Sequence, residues 1–346
     1  MDINDIIKYL SAYDGPEIKL MEVCGTHTQA IFKGGIRSLI SPKIKLISGP
    51  GCPVCVTPTA FIDKCVEYAK MPDHRLLSFG DMLKVPGTKG SISDLMGEGI
   101  KVDLMYSPFE VIEKAKNDPE TTFVIAAVGF ETTAPVYGLL VQKAAQEGVE
   151  NLRLVTALKT IIPALEWICE NEGGIDGFIC PGHVSTIIGS VPYENLAKKY
   201  GKPFVVAGFE PEQILAVIYD IVRQIESGAG KVDNLYRNAV RDEGNLKAQK
   251  VLADCYRADT AVWRGLGPIP GSGLYLTGEY EKYDGGSFGL DQDMELPASC
   301  RCAEVIVGRI DPGECPMFGT GCTPMKPYGP CMVSAEGACG IWFRNR

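Results

Sequence analysis

Basic surface is scarce in this chain, and so is histidine. Lys and Arg together number 34 against 43 Asp and Glu, a formal net charge of −9, and no predicted helix carries a basic stripe. Nucleic acid and anionic membrane are therefore unexpected partners. No apolar run reaches the ~18 residues that a spanning helix needs. The start, Met1-Asp2-Ile3-Asn4-Asp5, is acidic and lacks the basic and apolar regions of a signal peptide, so the expected location is the cytosol. No Gly-Lys-Ser/Thr follows a glycine loop, and Gly265 to Gly273 does not match Gly-x-Gly-x-x-Gly. A standard nucleotide site is unsupported. Low-complexity segments are absent as well, and 45% hydrophobic with 22% charged residues is ordinary globular composition.

Sulfur, by contrast, is abundant. In a reducing compartment, thirteen cysteines point to metal binding or redox work rather than to a disulfide framework. Six of them, Cys300, Cys302, Cys315, Cys322, Cys331 and Cys339, fall in the last 47 residues, where Gly and Pro leave little room for regular structure. Three more stand far upstream, in Met21-Glu22-Val23-Cys24-Gly25-Thr26-His27-Thr28 and Gly49-Pro50-Gly51-Cys52-Pro53-Val54-Cys55, each after a short apolar run.

At 346 residues the chain exceeds the size of a single core, so two or three domains are expected. From about residue 17 to 225 a short β-branched or Leu-rich run, a Gly-containing loop and a helical stretch recur, the rhythm of a parallel α/β sheet. Predicted strands cover 18–23, 44–47, 75–79, 123–128, 152–157, 177–179 and 204–207. Several are continuously apolar, as strands covered on both faces must be. Helices are predicted over 58–71, with Phe61, Ile62, Cys65, Val66 and Ala69 on its apolar face, and over 211–225, with a stripe of Ile214, Leu215, Ile218, Ile221 and Val222. Residues 123–131 echo 204–210, each ending Gly-Phe-Glu. We read two similar small α/β domains facing a cleft, over 1–148 and 149–226, and an irregular, partly helical domain held by a metal centre over 227–346, with a helix at 245–255.

Five unusual loops follow predicted strands: Cys24 to Thr28, Gly49 to Cys55, Gly129 to Thr133, Cys180 to Ser185, and Gly208 to Glu210. Ligands bind at that edge of open α/β sheets, and helix N-termini there favour anions and thiolates. Cys52-Pro53-Val54-Cys55 between a strand and a helix matches the arrangement of thiol-disulfide oxidoreductases, in which the helix start lowers a thiol pKa. Half of a zinc site, with His27 and Cys24 as the other half, is an alternative, as are two inert thiols. Cys24 is a candidate reactive or metal-binding thiol, or a small buried hydrophobe. His27 and His183 each have Thr or Ser within reach to fix a tautomer, in either a chemical or a structural role. Glu131 and Glu210 suit active-site carboxylates or simple helix caps. In the tail, Cys300, Cys315, Cys322 and Cys339 could wrap an iron–sulfur cluster, with zinc as the alternative; chemistry alone does not choose four from six.

Taken together, Cys-Gly-Thr-His-Thr, Gly-Pro-Gly-Cys-Pro-Val-Cys, Gly-Phe-Glu-Thr-Thr, Pro-Gly-His-Val-Ser and the spacing of 14, 6 and 16 residues between four tail cysteines resemble the HypD family of hydrogenase maturation proteins. The resemblance runs from Cys24 to Cys339. It implies two α/β domains and a domain carrying a [4Fe-4S] cluster. It also implies a scaffold that joins a HypC-type chaperone, receives cyanide from a HypE-type donor, and assembles the Fe(CN)2CO iron destined for the large subunit of [NiFe] hydrogenase. By motif, Cys24 would hold that iron, Cys52 and Cys55 would be a redox pair in the same cleft with His27, Glu131 and His183 nearby, and Cys300, Cys315, Cys322 and Cys339 would ligate the cluster. Cys302 and Cys331 receive no role. An ordinary thiol-disulfide oxidoreductase with a zinc tail is the competing reading.

Overall fold

The computed structural model describes residues 2–293 and 299–345. It is an α/β structure with two parallel sheets. The first sheet has five strands in spatial order Val232–Asn234, Phe204–Val206, Gly177–Cys180, Ile18–Glu22, Ile44–Ser48. The second has four, in order Val102–Leu104, His74–Ser78, Thr122–Gly129, Leu152–Leu158. Numbered along the chain within each sheet, both run 2-1-3-4, and the first adds a fifth strand beyond the fourth. The order reverses between strands one and three, and at that switch point a crevice opens outside the carboxyl ends of the strands.

Every predicted strand in the α/β region is present, because each is apolar enough to be covered on both faces. Phe178, Ile179 and Cys180 are fully buried. On one side of the first sheet lie the helices Ile3–Ser11, Gly25–Lys33 and Pro211–Ser227. On the other, Phe178 stacks on Phe204 at 4.5 Å between ring centroids, beneath the helix Ile161–Asn171. The second sheet lies between Thr59–Lys70 on one face and Glu110–Asn117 with Ala134–Gln146 on the other. Asn245 caps the helix Leu246–Cys255, its side-chain oxygen accepting from the N–H groups of Lys247 and Ala248.

The sheets divide the chain differently from the expected boundary at 148/149. Leu152–Leu158 pairs with Thr122–Gly129, whereas Ile18–Glu22 pairs with Gly177–Cys180. The chain thus starts the first sheet, leaves through residues 49–58, builds the whole second sheet, and returns through the helix Ile161–Asn171. The echo between 123–131 and 204–210 misled the division: it matches the third strand of one sheet to the fourth of the other, since an apolar strand ending in Gly-Phe-Glu marks a βα unit and not its sheet. The expected irregular region also shrinks. Residues 232–234 form the edge of the first sheet, and 256–276 form an antiparallel hairpin, Tyr256–Trp263 with Gly267–Leu276. Residues 299–345 are built of short helices and turns, among them Cys302–Ile306, Pro330–Val333 and Ala338–Arg344.

Candidate thiol and metal site

At the switch point of the first sheet, Cys24 ends the strand Ile18–Glu22 by two residues and occupies the N-cap of the helix Gly25–Lys33. Its thiol is buried, and burial pushes its pKa up to about 11, the charge of Glu336 adding to the shift while hydrogen bonds from Thr26 and His27 oppose it. The expectation that the helix start favours a thiolate here is outweighed by desolvation.

His27 lies one turn on, fully buried. Its Nε2 stands 3.0 Å from the carbonyl oxygen of Gly208. A carbonyl only accepts, so Nε2 carries the proton and Nδ1 keeps a free lone pair, for which the described residues supply no partner. Burial lowers the pKa of His27 to about 4, so the ring is neutral at physiological pH. The ring of Phe209 lies between two imidazoles, 4.8 Å from His27 and 4.2 Å from His183. Three of the five predicted loops, those of Cys24, Cys180 and Gly208, are therefore joined at one edge.

The loop after Ile44–Ser48 brings in the fourth. Gly51 lies so close to Cys24 that a Cβ there would meet the Cys24 backbone nitrogen at 2.4 Å, so only glycine permits this approach. Cys52 and Cys55 follow, joined as a disulfide, with the Cys55 N–H donating to Cys52 Sγ at 3.2 Å. They do not sit in the first turn of the following helix, as the motif suggested. They close a separate turn, and the helix begins only at Thr59, because Pro58 occupies its N-cap and the intervening residues are spent crossing between sheets.

The fifth loop stands apart in chemistry. Glu131 was a candidate cap for the helix after it, but its carboxylate instead accepts the Ile161 N–H at 2.7 Å, at the start of the returning helix. The other oxygen is buried without a partner among the described residues, and burial raises the pKa to about 7. Glu210 is a cap, in a capping box with Gln213.

All six tail cysteines line one small hollow, with Phe318 and Met332 as apolar walls. Cys302 and Cys331 share a side-chain hydrogen bond, and the Cys339 N–H donates to Cys331 Sγ at 3.2 Å. Cys331 also lines a second small hollow, together with Gly25, Thr28, Gly51, Cys52 and Cys55. It is thus the one thiol shared by the tail hollow and the disulfide. Sequence reasoning left Cys302 and Cys331 without a role; their spacing carries no signal, and only the fold brings Cys331 and Cys55 to the lining of one hollow. Among the described residues no three Cys, His, Asp or Glu are set to share a single metal ion. The donor set instead surrounds a wider space. Soft thiolates around a hollow with an apolar wall fit an iron–sulfur cluster, whose ligands stand around several atoms rather than one.

Comparison with known proteins agrees with this sulfur-rich architecture. The profile of the HypD family, described as hydrogenase formation hypA family, matches residues 2–346. The chain belongs to the HypD family. It is 40% identical to the hydrogenase maturation factor HypD of Escherichia coli over 334 residues, 95% of this chain and 89% of the relative. It is 40% identical to HypD of Rhodobacter capsulatus over 335 residues, 94% and 89% of the two chains. A putative hydrogenase expression/formation protein of Methanocaldococcus jannaschii is 39% identical over 335 residues, covering 95% and 92%. Among the described residues no helix is long and apolar enough to cross a membrane.

Proposed function

We propose that this HypD-family chain is the scaffold on which the Fe(CN)2CO iron of [NiFe] hydrogenase is assembled, with Cys24 as the thiolate that holds the iron as cargo. The observation that carries the reading is the continuity of sulfur: Cys24 abuts the Cys52–Cys55 disulfide through Gly51, and Cys331 adjoins both that disulfide and the thiol-lined hollow. Cys300, Cys315, Cys322 and Cys339 would hold a [4Fe-4S] cluster, which supplies or accepts electrons one at a time when bound.

Around it the chain's own groups have defined tasks. The Cys24 thiol, protonated at neutral pH, must lose its proton as iron binds, because the thiolate is the ligand. His27, neutral and with an unpaired Nδ1, lies one turn away and can accept a hydrogen bond; its pKa of about 4 keeps it from holding that proton, which must leave with solvent or a partner. Cys52 and Cys55, when reduced, give up two electrons and two protons in closing to the disulfide, beside which Cys331 lines the same hollow. A HypC-type chaperone and a HypE-type cyanide donor are the proposed partners, and the hydrogenase large subunit the recipient.

Infrared spectroscopy of the anaerobically purified protein with its chaperone tests the reading, since bound cyanide and carbon monoxide absorb where protein does not. Cys24→Ala should keep the fold and the cluster and lose those bands. Their persistence in the variant would sink the assignment. The competing thiol-disulfide oxidoreductase with a zinc tail predicts colourless protein with stoichiometric zinc.

A further inference from the structure

Cys24 is 8% exposed, and a thiol that must take up a metal complex and meet a partner protein cannot work from that depth. The group covering it is not part of either sheet. Residues 334–337 run between the short helices Pro330–Val333 and Ala338–Arg344, and their backbone presses on the Cys24 loop. A Cβ on Gly25 would lie 2.2 Å from the Glu336 carbonyl oxygen, so backbone meets backbone there. Glu336 lines the same hollow as Gly25, Cys52 and Cys55.

We propose that residues 334–337 form a strap that closes the Cys24 site and that Asp81 is the pin holding it shut. The strap is held on its outer side by few and exposed bonds. The Ala335 N–H donates to Asp81 Oδ2 at 3.1 Å, across to the switch point of the second sheet, and Arg344 Nη2 donates to the Ala335 carbonyl oxygen at 2.6 Å. Ala335, Glu336 and Asp81 are all exposed. A segment with little apolar burial and solvent-facing hydrogen bonds opens at low cost, whereas the sheets beneath do not. Its ends, Ser334 and Gly337, are buried, and just beyond them lie Cys331 and Cys339, which line the tail hollow. The cover over Cys24 is therefore carried by the same segment that bears the thiols, and it spans from one sheet's crevice to the other's.

This inference rests on Cys24 being the working thiol, but its test needs neither iron nor partner. The full-length protein, purified anaerobically with its native metal content, is treated with iodoacetamide, and Cys24 labelling is followed by peptide mapping. Wild type should label at Cys24 at least tenfold more slowly than the same peptide in urea. Asp81→Ala removes the acceptor and Ala335→Pro removes the donor from the other side; each should speed Cys24 labelling about tenfold with iron content unchanged. Asp81→Asn, which keeps an acceptor oxygen, should stay near wild type. If Asp81→Ala does not fold, Ala335→Pro decides alone. Wild-type Cys24 labelled as fast as the unfolded peptide, or slow labelling unchanged in a folded variant, overturns the strap. Loss of the infrared assignment for Cys24→Ala would leave these rates untouched, so the two failures are distinguishable.

Discussion

The two sheets reverse strand order in the same way and furnish the resulting crevices with opposite chemistry. At the first switch point stand Cys24, His27, Cys180 and His183 around the ring of Phe209. At the second stand Asp81 and Glu131, and neither of their loops, 79–83 and 129–133, carries a cysteine. Topology fixes where a ligand can be met, and side chains decide which. The contrast extends to how each region is held. Both sheets are cores of buried aliphatic and aromatic side chains, whereas the 299–345 region gathers its cysteines around a hollow. Apolar burial alone accounts for the sheets, while in the tail Val305, Ile306, Phe318, Met332 and Ile341 are buried beside the cysteines.

The largest expected effect therefore separates tail from sheets. Cys315→Ala or Cys322→Ala should abolish the cluster and loosen residues 299–345, since each removes a thiol from the hollow around which that region is wrapped. Iron and sulfide analysis together with hydrogen exchange checks it. Full iron content in both variants, or protection in the tail equal to wild type, breaks the contrast.

The reciprocal substitution is Phe178→Ala. It deletes a fully buried ring stacked on Phe204 and should cost about 3–5 kcal/mol of stability by large-to-small precedent. Cluster content in the folded fraction should be unchanged. Urea unfolding with parallel iron assay measures both numbers, and a proportional loss of iron would show that tail and sheet are one cooperative unit.

A finer cut tests the disulfide in its turn. Cys52→Ser should leave the cluster signal intact, remove the pair of thiols released on reduction, and stop hydrogenase maturation. Thiol counting before and after controlled reduction, beside a zinc assay, reads it. Stoichiometric zinc on Cys52 and Cys55 without a redox-dependent change in thiols would replace the relay with a structural site.

Much of this was legible from the sequence, for identifiable reasons. Strands such as Phe123 to Val128 declare themselves because a doubly covered strand must be apolar throughout, and Asn245 and Glu210 declare helix starts by capping chemistry. Sheet membership was hidden, because Ile18–Glu22 finds its partner in Gly177–Cys180, far along the chain, and no local pattern encodes that pairing. The edge strands Val102–Leu104 and Val232–Asn234 were missed because edges tolerate polar residues such as Asp103 and Asp233. The hairpin 256–276 was hidden by its Gly and Pro content. At the site, the motifs marked Cys24, Cys52 and Cys55, but the burial that keeps the Cys24 thiol protonated, the Cys302–Cys331 contact and the strap over Gly25 are products of tertiary packing. Glu131 was marked as an active-site carboxylate or a cap for the helix after it, but its bond to Ile161, which begins the helix after the next strand, was not legible.

The smallest effect is also the sharpest test of the comparison between crevices, because each sheet buries one carboxyl group raised to about 7: Glu22 in the first, beside Ser48, and Glu131 in the second, both chiefly by burial. For an acid whose folded pKa lies above its unfolded value near 4.5, the native state holds the proton longer. Stability therefore falls as pH rises from about 4.5 to about 7 and stays lowered above that. At 1.36 kcal/mol per pKa unit the penalty for one such group is on the order of 3 kcal/mol. His27 acts in the opposite sense and only in the first sheet: its folded pKa of about 4 lies below the ordinary 6.5, so its contribution is lost as pH falls from about 6.5 to 4. Glu131→Gln keeps an oxygen for the Ile161 N–H and removes the titration. It should unfold at higher urea than wild type at pH 7.5, by roughly 1–3 kcal/mol after relaxation, and show no gain at pH 4.5. Glu22→Gln should give the same pH signature, leaving the His27 loss on the acid side more visible. Equal gains at both pH values would mean that packing, not proton binding, distinguishes the variants, and the two buried acids would then be neutral fillers of otherwise unlike crevices.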